Sequence, residues 1–216
     1  MSKEMKKSIL MSFSPYYYYL IGEGIKKIEV RKTVARDPDW NGIVECYMTK
    51  DKRSFNRIPK EIQEKYRAHM GKIGMRFVCD WTARLETVES FQGKILDSNI
   101  GKDFSETALT KEEIINYAGR RFKSKTDYWV EYLYFCYGWH ITWLKFYDEP
   151  KELGEFSRLG FKRMGYSNCM CGNEVCKYRE EQNTYYDPPL CMYGNGKQMN
   201  CQLTRPPQSW FYVEAE

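Results

Sequence analysis

The chain has 216 residues, and its 34 lysines and arginines outnumber 29 acidic residues, leaving a net charge of +5. Hydrophobic residues make up 42% and aromatics 16%, too many for a disordered chain and enough for one ordinary core. No apolar run approaches the roughly 20 residues that cross a bilayer, and the stretch after the charged start is broken by Ser12, Ser14 and Pro15, unlike a signal peptide. The expected setting is the cytoplasm, that of a host cell if the gene is viral, with no membrane partner.

Lys7 to Phe13 (KSILMSF) reads as a first strand. Ser14 and Pro15 then open a short helix, with a hydroxyl at the cap and proline at the first helical position. Gly22 and Gly24 can end it. The four tyrosines Tyr16 to Tyr19 cannot all face inward on a helix, so one or two are expected at the surface. Lys27 to Lys32 alternates polar and apolar residues, the mark of a half-buried strand whose charged side chains share one face. Asp37 to Gly42 is a turn cluster, and Ile43 to Met48 a further strand. Pro59 to Met70 predicts a helix, with Ile62, Tyr66 and Met70 spaced four apart. Lys72 to Glu89 carries strand residues, with Gly71 and Gly74 at turn or bulge positions.

Thr110 to Glu113 matches a capping box, so a helix is expected from there to Gly119. Tyr128 to Tyr147 is the most aromatic stretch, and Trp139 to Phe146 alternates as a strand entered through Gly138. Pro150 is expected to begin a short helix or turn. From about Lys162 the texture changes to Gly, Asn, Cys, Pro and Tyr, and strand character returns only at Ser209 to Glu214. The expected organisation is a main domain over 1–161, a cysteine-rich excursion over 162–208, and a final strand over 209–216 that returns to the main domain. Short strands interrupted by short helices point to an α+β fold with a small, partly open barrel.

The eight cysteines divide unevenly. Cys46, Cys79 and Cys136 sit in strand-like contexts, where a free thiol behaves as a small hydrophobe. Cys169, Cys171, Cys176, Cys191 and Cys201 crowd the excursion. In a reducing compartment such a cluster suggests a structural zinc. The expected ligands are Cys171, Cys176, Cys191 and Cys201, with Cys169 as the substitute; free surface thiols, or disulfides formed after lysis, are the alternatives. The aromatic count (18 Tyr, 11 Phe, 6 Trp) fits either a Tyr-rich core or a stacking surface for bases.

Gly24-Ile25-Lys26-Lys27-Ile28-Glu29-Val30-Arg31, after a proline-initiated helix, resembles the G-x-K-x-x-E-x-R signature of the ASCH domain, a family of the PUA-like superfamily of small β-barrels. The opening strand–helix unit, the strand around Ile73 to Asp80, Tyr137 to Ile141 and the ending Leu203 to Trp210 follow in the order of a phage-type ASCH protein. The resemblance implies a PUA-like mixed barrel that binds RNA or a modified nucleotide in a basic cleft. One branch is similar to an amidohydrolase that deacetylates acetylated cytidine with a lysine, a threonine and a glutamate. The lysine falls on Lys26, but the threonine's place holds Glu29, and a carboxylate does not replace a hydroxyl nucleophile.

Lys26, Glu29 and Arg31 are therefore the central candidates, with Ser14, His140 and Gln208 as further ligand-binding positions. An arginine can hold a phosphate or base edge bidentately, and a carboxylate can accept from an exocyclic amine. The plain alternative is a solvated strand face with an internal ion pair. His140 and Trp139 point to opposite sides by the pleat, so one belongs to the core. Trp210 is expected to plug the barrel, and His69 has no expected role. The alternative function is a hydrolase acting on RNA or a modified nucleobase, of ribonuclease or amidohydrolase type. It would use Lys26 and Glu29, or a second carboxylate from Asp80, Glu86 or Glu89. A protein-binding module acting on a host factor is a third.

Overall fold

The computed structural model describes residues 7–35, 37, 40–90, 95–100, 102–125, 130–158, 201–202 and 207–214. The chain is α+β, as expected, with a mixed sheet and short helices. It divides into two units: the first takes Met1–Tyr18, Pro38–Arg76 and Lys145–Glu216, and the second Tyr19–Asp37 and Phe77–Leu144. Two long strands, β4 (Ile73–Ser90) and β7 (Val130–Lys151), contribute residues to both. Of the excursion over 162–208, only residues 201–202 and 207–208 are among the described residues.

In the first unit the apolar run of β1 (Lys7–Phe13) is buried on both faces, as a continuous hydrophobic strand should be. It lies parallel to β3 (Trp40–Met48), with Ile9 opposite Val44, and antiparallel to β10 (Trp210–Glu214), with Met11 opposite Trp210. The last strand thus pairs with the first. The strand path is β4-β3-β1-β10-β8-β9, where β8 is Ser157–Arg158 and β9 is Cys201–Gln202. Leu10, Tyr47, Ile73, Phe156 and Val213 form one core. The buried carboxylate of Glu45 accepts from the Tyr147 hydroxyl at 2.6 Å, which offsets its desolvation.

Helix α1 (Pro15–Gly22) follows Ser14 as the sequence predicts. Tyr18 and Tyr19 are buried, and Tyr16 and Tyr17 are half-buried. A short helix α2 (Lys52–Phe55), not expected, is capped by Asp51, whose side chain accepts from the Arg53 and Ser54 N–H groups. The helix expected over Pro59–Met70 is shorter than its spacing suggests. A 3-10 turn (Lys60–Ile62) leads into α3 (Gln63–Arg67), and of the three spaced residues only Tyr66 is fully buried. The chain leaves the helix at Ala68 because His69 turns inward, where its Nδ1 lies 3.1 Å from the Tyr18 hydroxyl. Its ring packs against Tyr18, Tyr66 and Phe146, with centroids 5.8, 6.1 and 5.7 Å away. Pro150 falls inside the end of β7 rather than opening a helix; the 3-10 turn that follows is Leu153–Glu155.

Burial, and after it the charge of Lys65, hold the His69 ring below its ordinary pKa of 6.5. The unfolded chain then takes up this proton more readily than the folded one. Stability is fully present above pH 6.5 and is lost as the pH falls below it. Urea midpoints measured between about pH 7.5 and pH 5 should fall more steeply for the wild type than for His69→Gln; equal slopes would remove His69 from the acid response.

In the second unit β2 (Ile28–Arg31) and β4 flank β7, while β5 (Ile95–Ser98) pairs with β4 and β6 (Arg120–Lys125) with β7. Among the described residues no pairing joins the ends of the strand path in either unit, so both are open. Helix α4 (Lys111–Ala118) carries the expected capping box. Thr110 Oγ1 accepts from the Glu113 N–H at 3.1 Å, and the Glu113 side chain accepts from the Thr110 N–H at 2.7 Å. Ile114 and Ala118 pack with Val30, Leu85, Ile100 and Cys136. Gly138 lies within β7 rather than at its entry. A methyl group there would approach Ile28 Cγ2 to 3.0 Å, so the absent side chain lets β2 sit close.

Candidate functional site

The site begins where α1 ends. Gly24 takes a left-handed φ of 70°, and the N–H groups of Ile25 and Lys26 both bond the Leu20 carbonyl at 2.9 Å. This turn delivers Lys26 to the interior and Lys27 to the surface. Both reach the same segment. The Lys26 ammonium donates to the Thr107 carbonyl at 2.5 Å, and the Lys27 ammonium lies 3.1 Å from Glu106 Oε1.

From β2, Glu29 divides its carboxylate between two cations. Its Oε2 is 3.4 Å from Lys26 Nζ, and its Oε1 is 2.8 Å from Arg31 Nε. The residues are 2%, 7% and 8% exposed in the order Lys26, Glu29, Arg31. The half-buried strand face expected from alternation is therefore corrected: all four residues of β2 are buried, and Glu29 lies within ion-pair distance of both cations inside. Burial holds the Lys26 ammonium below its ordinary pKa of 10.5, with the Glu29 carboxylate opposing that shift and Arg31 reinforcing it.

The register of β2 on β7 sets what surrounds this cluster. Glu29 lies opposite Trp139 and Arg31 opposite Tyr137, so these four residues share one face. Trp139 is fully buried, and its indole N–H donates to the Thr33 carbonyl at 3.3 Å. Tyr117 of α4 is close enough for Arg31 and Glu29 to act on its phenol; burial is the largest influence and raises its pKa. The Lys32 ammonium sits 5.3 Å from the Tyr117 ring centre. Thr107 and Tyr117 were not singled out in the sequence. They join the cluster only through folding, and no local motif marks them.

His140 is not part of this cluster. It lies opposite Ile28, on the other face of the pair, so Trp139 is the core residue of the two. Its Nδ1 is 2.7 Å from Asp80 Oδ1, and its ring stacks on Trp81 with centroids 4.7 Å apart and planes 9° from parallel. The bond from His140 holds the Asp80 carboxyl below its ordinary pKa. Of the carboxylates proposed to assist Lys26, Asp80 instead holds His140, and Glu86 sits 2.9 Å from Arg84 Nε. Glu29 itself is the carboxylate beside Lys26.

Ser14 and Gln208 belong to the first unit. Ser14 is half-buried and its carbonyl accepts from the Tyr18 N–H at 2.9 Å, while Gln208 is exposed just before β10. Trp210 is half-buried and meets Tyr212 edge to face at 5.6 Å. Of the cysteines expected to bind zinc, Cys169, Cys171, Cys176 and Cys191 lie outside the described residues, and Cys201 opens β9. Cys46, Cys79 and Cys136 are buried within strands, as expected of small hydrophobes. No helix among the described residues is long and apolar enough to cross a membrane.

No family model, curated protein or solved structure matches this chain.

Proposed function

We propose that the chain is an ASCH-type, PUA-like protein that binds RNA or a modified nucleotide. The supporting observation is the buried Lys26–Glu29–Arg31 cluster, which follows the Gly24 turn in the order of the family signature. Buried ion pairs contribute little to stability, because desolvation offsets their attraction. An arginine paired with a carboxylate can still donate from its planar guanidinium to a phosphate or base edge. The small barrel and the structural zinc on four of the five clustered cysteines belong to the same reading, and both rest on the sequence.

Titration of the full chain with single-stranded and structured RNA over a series of salt concentrations tests it. Affinity is expected to fall steadily with salt. Arg31→Lys, which keeps the charge but loses the planar fork, is expected to weaken binding about tenfold or more at unchanged fold. Salt-insensitive or absent binding, with Arg31→Lys behaving as wild type, would overturn the proposal.

One observation favours the hydrolase as a second reading. Burial lowers the Lys26 pKa, so its ammonium gives up a proton more readily than one in water, the direction a general base needs. Glu29 would then orient that amine.

A further inference from the structure

The net charge of the chain is concentrated in one place. Residues 50–72 hold eight lysines and arginines against three carboxylates, which is the whole excess of +5, and the rest of the sequence carries the two signs in equal number. This segment lies in the first unit, where it folds as α2, the 3-10 turn and α3. Its apolar side chains turn inward, with Phe55, Ile58 and Tyr66 buried. The cations stay outside: Lys50, Lys52, Arg53, Arg57, Lys60 and Arg67 are all exposed.

The outer face of α2 is the centre of this surface. Along α2 and the turn that continues it, Lys52, Arg53, Asn56 and Arg57 fall on one arc, opposite the buried Ser54, Phe55 and Ile58. A guanidinium lies over a ring at each flank. Arg57 is 3.9 Å from the Tyr16 ring centre, beside the Ser54 hydroxyl that accepts from the Tyr16 N–H at 3.0 Å. Arg67 of α3 is 5.5 Å from the Phe55 ring centre. The carboxylates of the segment do not neutralise the arc. Asp51 accepts from the Arg53 and Ser54 N–H groups as the helix cap, Glu64 sits 2.9 Å from Arg67 Nε, and Glu61 stands on the 3-10 turn. Among the described residues Lys52, Arg53 and Arg57 form no ion pair.

Arg53 and Arg57 are four residues apart, a spacing at which like charges destabilise a helix. A bound polyanion would relieve that repulsion. The arc is too polar for the centre of a protein interface, which is apolar and poor in charge, whereas nucleic-acid interfaces are polar and strongly positive. The planar forks of Arg53 and Arg57 match paired phosphate oxygens.

We infer that the outer face of α2, flanked by Arg57 on Tyr16 and Arg67 on Phe55, holds the sugar–phosphate backbone of a nucleic acid. The inference rests on the nucleic-acid reading and adds a contact made by other residues, since this face belongs to the first unit and Lys26, Glu29 and Arg31 to the second. Phosphate contacts carry no base preference, so the face supplies affinity and salt response for any sequence.

The test titrates the full chain with two short RNA hairpins of unrelated sequence, and with polyglutamate, over a series of salt concentrations. Wild type is compared with the double variant Lys52→Gln/Arg53→Gln, with Arg31→Lys, and with Lys111→Gln/Lys145→Gln, which removes the same charge from exposed positions elsewhere. Thermal unfolding confirms that each is folded. The slope of log affinity against log salt is expected to become shallower by about 2 in Lys52→Gln/Arg53→Gln, one for each phosphate contact, equally for both hairpins. The Lys111→Gln/Lys145→Gln slope should match wild type. If Lys52→Gln/Arg53→Gln keeps the wild-type slope while Arg31→Lys weakens binding, the inference is wrong and the nucleic-acid reading stands. If wild type binds neither hairpin, both fall. Equal loss of slope in the two double variants would assign the effect to net charge and overturn the inference. So would loss of polyglutamate binding at an unchanged RNA slope, which would give the face to an acidic protein.

Discussion

Replacing Glu29 with alanine is expected to destabilise the folded chain by about 3–5 kcal/mol, the usual effect of stripping a buried charge of its partner. The carboxylate serves two cations, so its loss takes the Glu29 ion pair from both Lys26 and Arg31 in the same interior. Their mutual repulsion, already visible in the effect of Arg31 on Lys26, would then act unopposed. Lys26→Met should be far milder, because it removes the most deeply buried charge and leaves the Glu29–Arg31 pair intact. The two variants therefore separate stability from binding. Both should lose ligand affinity, but only Glu29→Ala should shift the urea midpoint strongly. Equal midpoints for the two would mean that Glu29 is not the keystone of the cluster.

Gly74→Ala is the second large effect. A methyl group at this position would stand 1.7 Å from His69 Nδ1 and 2.6 Å from its Cε1, far inside van der Waals contact. The ring has no ready escape, since Tyr18, Tyr66 and Phe146 enclose it. Displacing it would take one partner from the buried Tyr18 hydroxyl and undo the ring contacts, at a combined cost of about 3 kcal/mol. Thermal or urea unfolding measures this directly. The double variant Gly74→Ala with His69→Ala should recover much of the loss, since the offending ring is gone; strict additivity of the two single changes would refute the clash as the cause.

The elements that local chemistry determines were legible in the chain. KSILMSF reads as a strand and forms β1, and the Thr110–Glu113 box marks the start of α4. The pleat rule separated Trp139 from His140 correctly. Alternation in β2 was read rightly as a strand and wrongly as half-exposed, because a charged face paired within itself has the same pattern as one facing water. The shortened α3 escaped notice because spacing cannot tell that His69 must turn toward Tyr18. The Lys26–Glu29–Arg31 trio was visible because it is contiguous. Thr107 and the Asp80–Trp81–His140 group were not, being joined across 81 and 60 residues of sequence.

The pairing of β1 carries a consequence for how the chain is made. One edge of β1 is covered by β3, but the other waits for β10, whose Trp210 meets Met11 roughly 200 residues later. At ordinary elongation rates that strand is on the order of 10 to 40 s in coming. Throughout that interval the most hydrophobic ribbon of the molecule presents an open edge, the kind of surface on which neighbouring nascent chains pair. Folding yield should thus depend on how crowded the ribosomes are and on what shields that edge, as much as on the stability of the finished protein.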